Sequence, residues 1–393
     1  MQIDGQSRLN FYISGVNFPI ISLPGCQCII TTNVKQPLPS LRIVINDPIS
    51  VINTALPIVD GTLLGVIMDD TSTNDPTQVQ FRAFGTPKRS HMPNHSDQTV
   101  YTITGLLDSI PFIRSNPNTT LTGTSNTVMK NIATQNGFNF VTNVSGNDSM
   151  TWLPAKKTWA GFAEYVSKHS YIDNNSVQSW GIDEQKNLYF ANIVPLFSKP
   201  PVAYIYFGAP NASTNSNQQT QSNTFVALQY RAINRSGLFN SLGGYGQRTV
   251  QQTLSGPNQN KYLATDATVT TNQLDINSNV SGAIKPVSKM SLPAADCGNS
   301  HDNYIQARHQ NHRLKCTYVQ NVYVMLYQKS GLKLFDTVSF TSTTEGNNTN
   351  SLVNGTYIVT ATSRVYWSNR YYEKLELTNN GPITANTVSG LLS

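Results

Sequence analysis

The sequence predicts a mainly β protein of the α+β class, in which two β-rich stretches flank a small α+β module. Three observations carry this. Short runs with apolar side chains at alternate positions fill residues 8–114 and return after residue 202. Between them, TWAGFAEYVSKHS at 158–170 places Trp159, Phe162, Ala163 and Val166 at helical spacing behind Thr158, a residue type that caps helices. Only 12% of residues are charged, yet the chain has 18 Tyr and 15 Phe, so it carries core-forming side chains and is not a disordered composition. At 393 residues it exceeds one ordinary core, and two to four domains are expected.

In chain order, RLNFYISG, CQCIITTNV, SLRIVIND, GTLLGVIMDD, VQFRAFG and TVYTITGLLDSI are predicted strands separated by Pro, Gly, Asn and Asp. One short helix fits among them, with Asp47 as cap, Pro48 in its first position and Ile49, Ile52 and Leu56 inward. These residues, 1–115, make a first barrel or sandwich. NPNTTLTGTSN follows as a linker. A second amphipathic helix carries Val128, Met129, Ile132 and Ala133, with Ser125 as cap and Gly137 just past its end. FNFV is a strand, and SVQSWGIDEQKNLYFANI is a hairpin turning at Asp183–Asn187. Residues 116–200 form the α+β module.

Strand character resumes with VAYIYFG and TFVALQYRAI. Residues 237–299, rich in Gly, Ser, Asn and Gln, are expected to be a loop-rich insertion. A helix capped by Ser300 then leads into CTYVQNVYVMLY, LKLFDTVSFT, TYIVTATSRVYW and YYEKLELTN. The second β unit thus comprises 201–236 and 300–385.

Composition excludes several classes. The formal net charge of +6 is mild for this length, and the short PKR at 87–89 is expected to be a solvated loop, so nucleic-acid recognition is not favoured as the main function. Four cysteines do not make a disulfide scaffold, and reduced, cytosolic synthesis is expected. The first residues lack a basic segment followed by an apolar one, so no signal peptide is expected; no apolar run reaches about 18 residues, so no membrane-spanning segment is expected either.

A search for chemistry finds no nucleophile elbow, zincin helix or phosphate loop. Asp69–Asp70 and Asp183–Glu184 are expected to be solvating pairs at turns or strand ends. Glu373 and Glu376, three apart on a strand, point to opposite faces. His309, His312 and Cys316 would share one face of a continuous helix, as metal ligands do. The strand pattern starts near Cys316, however, and Cys297 lies too far along the rod to be a fourth ligand, so no metal is expected there. Cys26 and Cys28 are expected core residues. The expected site inventory is therefore empty: no catalytic residue, no cofactor and no metal.

The order of parts resembles the central baseplate hub of contractile phage tails and the related N-terminal part of type VI secretion spike proteins. The pieces that carry the resemblance are WLPAKKTWAGFAEYVSKHS with SWGIDEQKNLYFANI, then HDNYIQARHQNHRLKCTYV, GLKLFDTVSFT and NGTYIVTATSRVYW. It implies two tail-tube-like β-barrels in one chain and no catalytic residues. It also implies a homotrimer around a channel, adapting a six-fold tail tube to a three-fold spike. Implied partners are the tail tube protein, the central spike protein, other baseplate proteins, and tape-measure protein or DNA in the channel; the implied location is the virion tail. Two other classes remain open on sequence alone: an adsorption or carbohydrate-binding tail protein, and a cell-wall hydrolase.

Overall fold

The computed structural model describes residues 8–18, 26–47, 52, 56–69, 77–92, 95–155, 157–208, 223–234, 246–253, 262–269, 288–292, 301, 303–304, 307, 314, 317–318, 320–343 and 353–380. Eight strands come first: β1 (Arg8–Ile13), β2 (Val16–Phe18), β3 (Gln27–Asn33), β4 (Ser40–Asp47), β5 (Leu63–Asp69), β6 (Thr77–Ala83), β7 (Lys88–Met92) and β8 (His95–Leu107). All six strands expected from the sequence are present. β2 and β7 are additions, and β7 corrects the reading of PKR at 87–89: Lys88 and Arg89 lie on a strand paired with β8.

A short helix, α1 (Ile110–Arg114), ends the first stretch, and the module follows with β9 (Leu121–Gly123), α2 (Ser125–Gln135), β10 (Asn139–Thr142), β11 (Met150–Trp152), α3 (Trp159–His169), β12 (Gln178–Ile182) and β13 (Asn187–Asn192). The expected linker therefore contains a strand, since β9 pairs with β11. The α2 cap lies one residue before the expected Ser125: Thr124 Oγ1 accepts from the Thr127 N–H. Ser125 instead gives its N–H to the buried carboxylate of Asp148, at 2.9 Å. Gly137, at φ +71°, ends α2 as expected, and Phe138 N–H returns to the Ala133 carbonyl at 2.9 Å.

The remaining strands are β14 (Ala203–Phe207), β15 (Thr224–Asn234), β16 (Gly246–Thr253), β17 (Tyr262–Val269), β18 (Ser288–Leu292), β19 (Gln320–Leu326), β20 (Thr337–Ser342), β21 (Gly355–Trp367) and β22 (Arg370–Asn379). β16, β17 and β18 form a small mixed sheet, so the stretch expected to be loop-rich includes regular structure. Pro48 and Ile49 lie outside the described residues. Within them, Ile52 is helical and buried, and its N–H donates to Asp47 at 2.9 Å.

Pairing runs β2-β1-β5-β6-β8-β4-β3 through the first unit and β21-β20-β14-β15-β19-β22 through the second. β22 also pairs with β21, which closes the second unit into a six-stranded barrel and removes its free edges. Phe11, Cys28, Ile30, Ile43, Val66 and Phe81 fill the first unit; Ile205, Val324, Phe340, Tyr357 and Leu377 fill the barrel. The fold is mainly β, with helices confined among the described residues to α1, the module and isolated positions.

Candidate functional site

The seam between the two β units is made by β21. Its first residues pair with β20 and complete the barrel. Its last seven, Ala361–Trp367, pair antiparallel with Asn33–Gln27 of β3. A bulge between Val359 and Ala361 separates the two parts and bends the strand from one unit toward the other. One 13-residue strand thus serves both sheets, and they run on as one.

A buried charge cluster sits on the inner side of this seam. Arg364 of β21 lies opposite Ile30 of β3 and Glu373 of β22. Its guanidinium donates to Glu184, which stands in the β12–β13 turn, and Thr32 Oγ1 donates to the other Glu184 oxygen at 2.8 Å. Glu373 accepts from the backbone N–H of Ser330. Three separate parts of the chain therefore meet at Arg364. Burial opposes ionisation of Glu184, but Arg364 and the hydrogen bonds outweigh it and hold the carboxyl below its usual range. Burial dominates at Glu373 and pushes its carboxyl up.

These positions correct the expectation that Asp183–Glu184 is a solvating pair. Both are buried. Asp183 shapes the turn, accepting from the backbone of Asn187 at 2.8 Å and from Tyr189 Oη at 2.9 Å. Glu373 and Glu376 do lie on opposite faces, and Glu376 pairs with Lys35 at 2.8 Å. Arg364 was missed. Its signal was a cation in phase with Thr362 and Tyr366 on the inward face of TYIVTATSRVYW, where alternation calls for an apolar residue.

The hairpin that delivers Glu184 is buried on both sides. Trp180, Ile182, Leu188 and Phe190 face the module core with Phe162 and Val166 of α3. Tyr189 faces the other way, 6.3 Å from the ring of Phe335 and beside Leu334. Tyr189 lies opposite Gly181, one register position from the Trp180–Phe190 pair, so it and Trp180 point to opposite faces of the hairpin. A cleft of about 480 Å³ opens beside the hairpin, between α3, residues 34–37, Leu314 and Tyr318. On its wall Trp180 Nε1 donates to Glu164 at 2.8 Å.

His309, His312, Cys316, Cys297 and Asp70 lie outside the described residues. Among the described residues no group of three or more His, Cys, Asp or Glu side chains could hold a metal ion. Cys26 and Cys28 are free thiols in the first core, as expected, and burial pushes Cys26 up to about 12. No described helix is long and apolar enough to cross a membrane.

No protein-family model and no curated protein matches this sequence. Solved structures do match. The tail protein from Neisseria meningitidis MC58 superposes on 96% of this chain and 97% of its own, with a TM-score of 0.59 at 10% identity. The 43 kDa tail protein of prophage MuSo2 from Shewanella oneidensis covers 95% of this chain and 98% of its own, with a TM-score of 0.61 at 9% identity. A component of the E. coli type VI secretion system also matches, with a TM-score of 0.46. The chain thus has the fold of phage tail proteins over nearly its whole length, as the resemblance in its sequence implied.

Proposed function

We propose that this chain is a structural protein of a phage-type tail: the homotrimeric central hub of the baseplate, lining part of the central channel. Three chains of two β units each give six units, which matches a six-fold tail tube on one side and a three-fold spike on the other. The observation that carries this is the β3–β21 ladder, because it joins two β units edge to edge within one chain. Repeated between chains, a similar juxtaposition would close a ring. We assign residues 1–115 and residues 201–236 with 300–385 to the ring units, 116–200 to the bracing module and 237–299 to an insertion.

The partners are then the tail tube protein, the central spike protein and other baseplate proteins, and the location is the virion tail. No catalytic role is assigned; the buried carboxylates are held by structural partners. Native mass spectrometry with imaging of the purified protein tests this. A closed trimer with a central opening is expected. A stable monomer at high concentration in physiological buffer would overturn the proposal.

A further inference from the structure

We propose that the cleft beside the hairpin is a docking socket for an uncharged stretch of another polypeptide, which sets one apolar side chain between the walls and its peptide group against Gln178. The cleft draws on all three parts of the chain. Pro37 comes from the first unit, Ala160 and Trp180 from the module, and Leu314 and Tyr318 from the approach to β19. Its volume of about 480 Å³ lies within the ordinary range of ligand sites, and junctions between units are where such sites form.

Two observations point to an occupant. The first is Gln178, which lines the cleft and is only 3% exposed. Its amide meets the Ser170 hydroxyl at 3.3 Å, while Ser170 gives its single proton to the Ser167 carbonyl at 2.8 Å. One end of the amide therefore faces Ser170, and the other has no described hydrogen-bond partner. A buried polar group left in that state is costly. A peptide group carries both an N–H and a C=O, so it answers either end. The second is Gly161, in the first turn of α3, which also lines the cleft. Glycine weakens a helix relative to alanine. Nothing in the backbone asks for it here, since a Cβ would meet only Lys157 and Thr158, at 3.4 Å and 3.5 Å. What the missing side chain does is leave the α3 wall of the cleft open. The rim then sets the charge of the occupant. Lys35 pairs with Glu376 and Lys168 with Glu164, each at 2.8 Å, so cations and anions cancel around the mouth. A balanced polar rim over an apolar centre suits a neutral segment and gives an anionic one no net attraction.

This inference stands apart from the hub proposal, because the cleft lies within one chain and needs no ring. The test titrates the full chain, with isotope-labelled tryptophan, with the capped peptide N-acetyl-Ala-Leu-Ala-amide. The chain has 4 Trp, and the indole N–H signals of Trp180, on the cleft wall, and Trp367, exposed elsewhere, are assigned from Trp180→Phe and Trp367→Phe. A saturable movement of the Trp180 signal is expected, with that of Trp367 unmoved. Gly161→Leu, which fills the wall, should abolish the movement. Gln178→Leu should weaken binding roughly fivefold, the worth of one hydrogen bond. Isoamyl alcohol, apolar but without a peptide group, should bind more weakly than the peptide. Thermal melts verify that both variants fold; where either melts early, the comparison of peptide with alcohol on the intact chain decides. No saturable movement in the intact chain, undiminished binding by a folded Gly161→Leu or Gln178→Leu, or equal binding of the alcohol would each overturn the inference.

Discussion

Glu184 and Glu373 sit beside one guanidinium, and their environments drive their carboxyls in opposite directions. Glu184 is held low, so its contribution to stability is complete above the ordinary carboxylate range and is lost as pH falls through its depressed value. Glu184→Gln strands Arg364 without its charge partner, and breaking a buried pair costs about 3–5 kcal/mol at neutral pH. Urea melts should show that penalty shrinking in acid; a constant penalty would argue against the ion pair. Glu373 has the other sign. Between its ordinary and raised values the folded chain holds a proton that the unfolded chain has released, so stability from this site falls as pH climbs. Glu373→Gln should therefore equal wild type in acid and exceed it at neutral pH, where a melt showing the variant weaker would contradict the assignment.

At the scale of elements, α3 and the hairpin carry the packing. Phe162 is fully buried, and Phe162→Ala should cost about 3–5 kcal/mol. Lys168 is half exposed and paired with Glu164 at i,i+4, so Lys168→Ala should cost no more than about 0.5 kcal/mol. Chemical denaturation of both variants compares them directly. Gly181 has a different reason to be there: a Cβ would stand 2.8 Å from Leu334 and 3.4 Å from Val34. Gly181→Ala should loosen the hairpin against the second unit, read as faster amide exchange at Tyr189 and Ile358; unchanged exchange would show that Leu334 simply yields. Much at this scale was legible in the sequence. Thr158, Gly137 and the 183–187 turn announced themselves through local chemistry, and the strands through alternation. The seam and the charge cluster were not legible, because they depend on which distant strands pair. Thr31 and Ser363 share a hydroxyl contact across 332 positions, and no local pattern encodes that.

For the whole molecule, the continuous sheet and the two-sided hairpin tie the three parts together. Heating or denaturant should therefore melt the first unit, the module and the barrel in one transition. Tryptophan fluorescence and circular dichroism should coincide; separated transitions would show that the seam is weaker than its ladder suggests. The same ladder also sets a timetable during synthesis. β3 is made early, and its partner β21 emerges only after some 330 further residues. At about 5–20 residues per second the ribosome takes tens of seconds to cover that distance. Throughout that interval the nascent first unit presents an unpaired strand edge to every neighbouring chain on the same message, so the crowded polysome is where this protein is most exposed to mispairing.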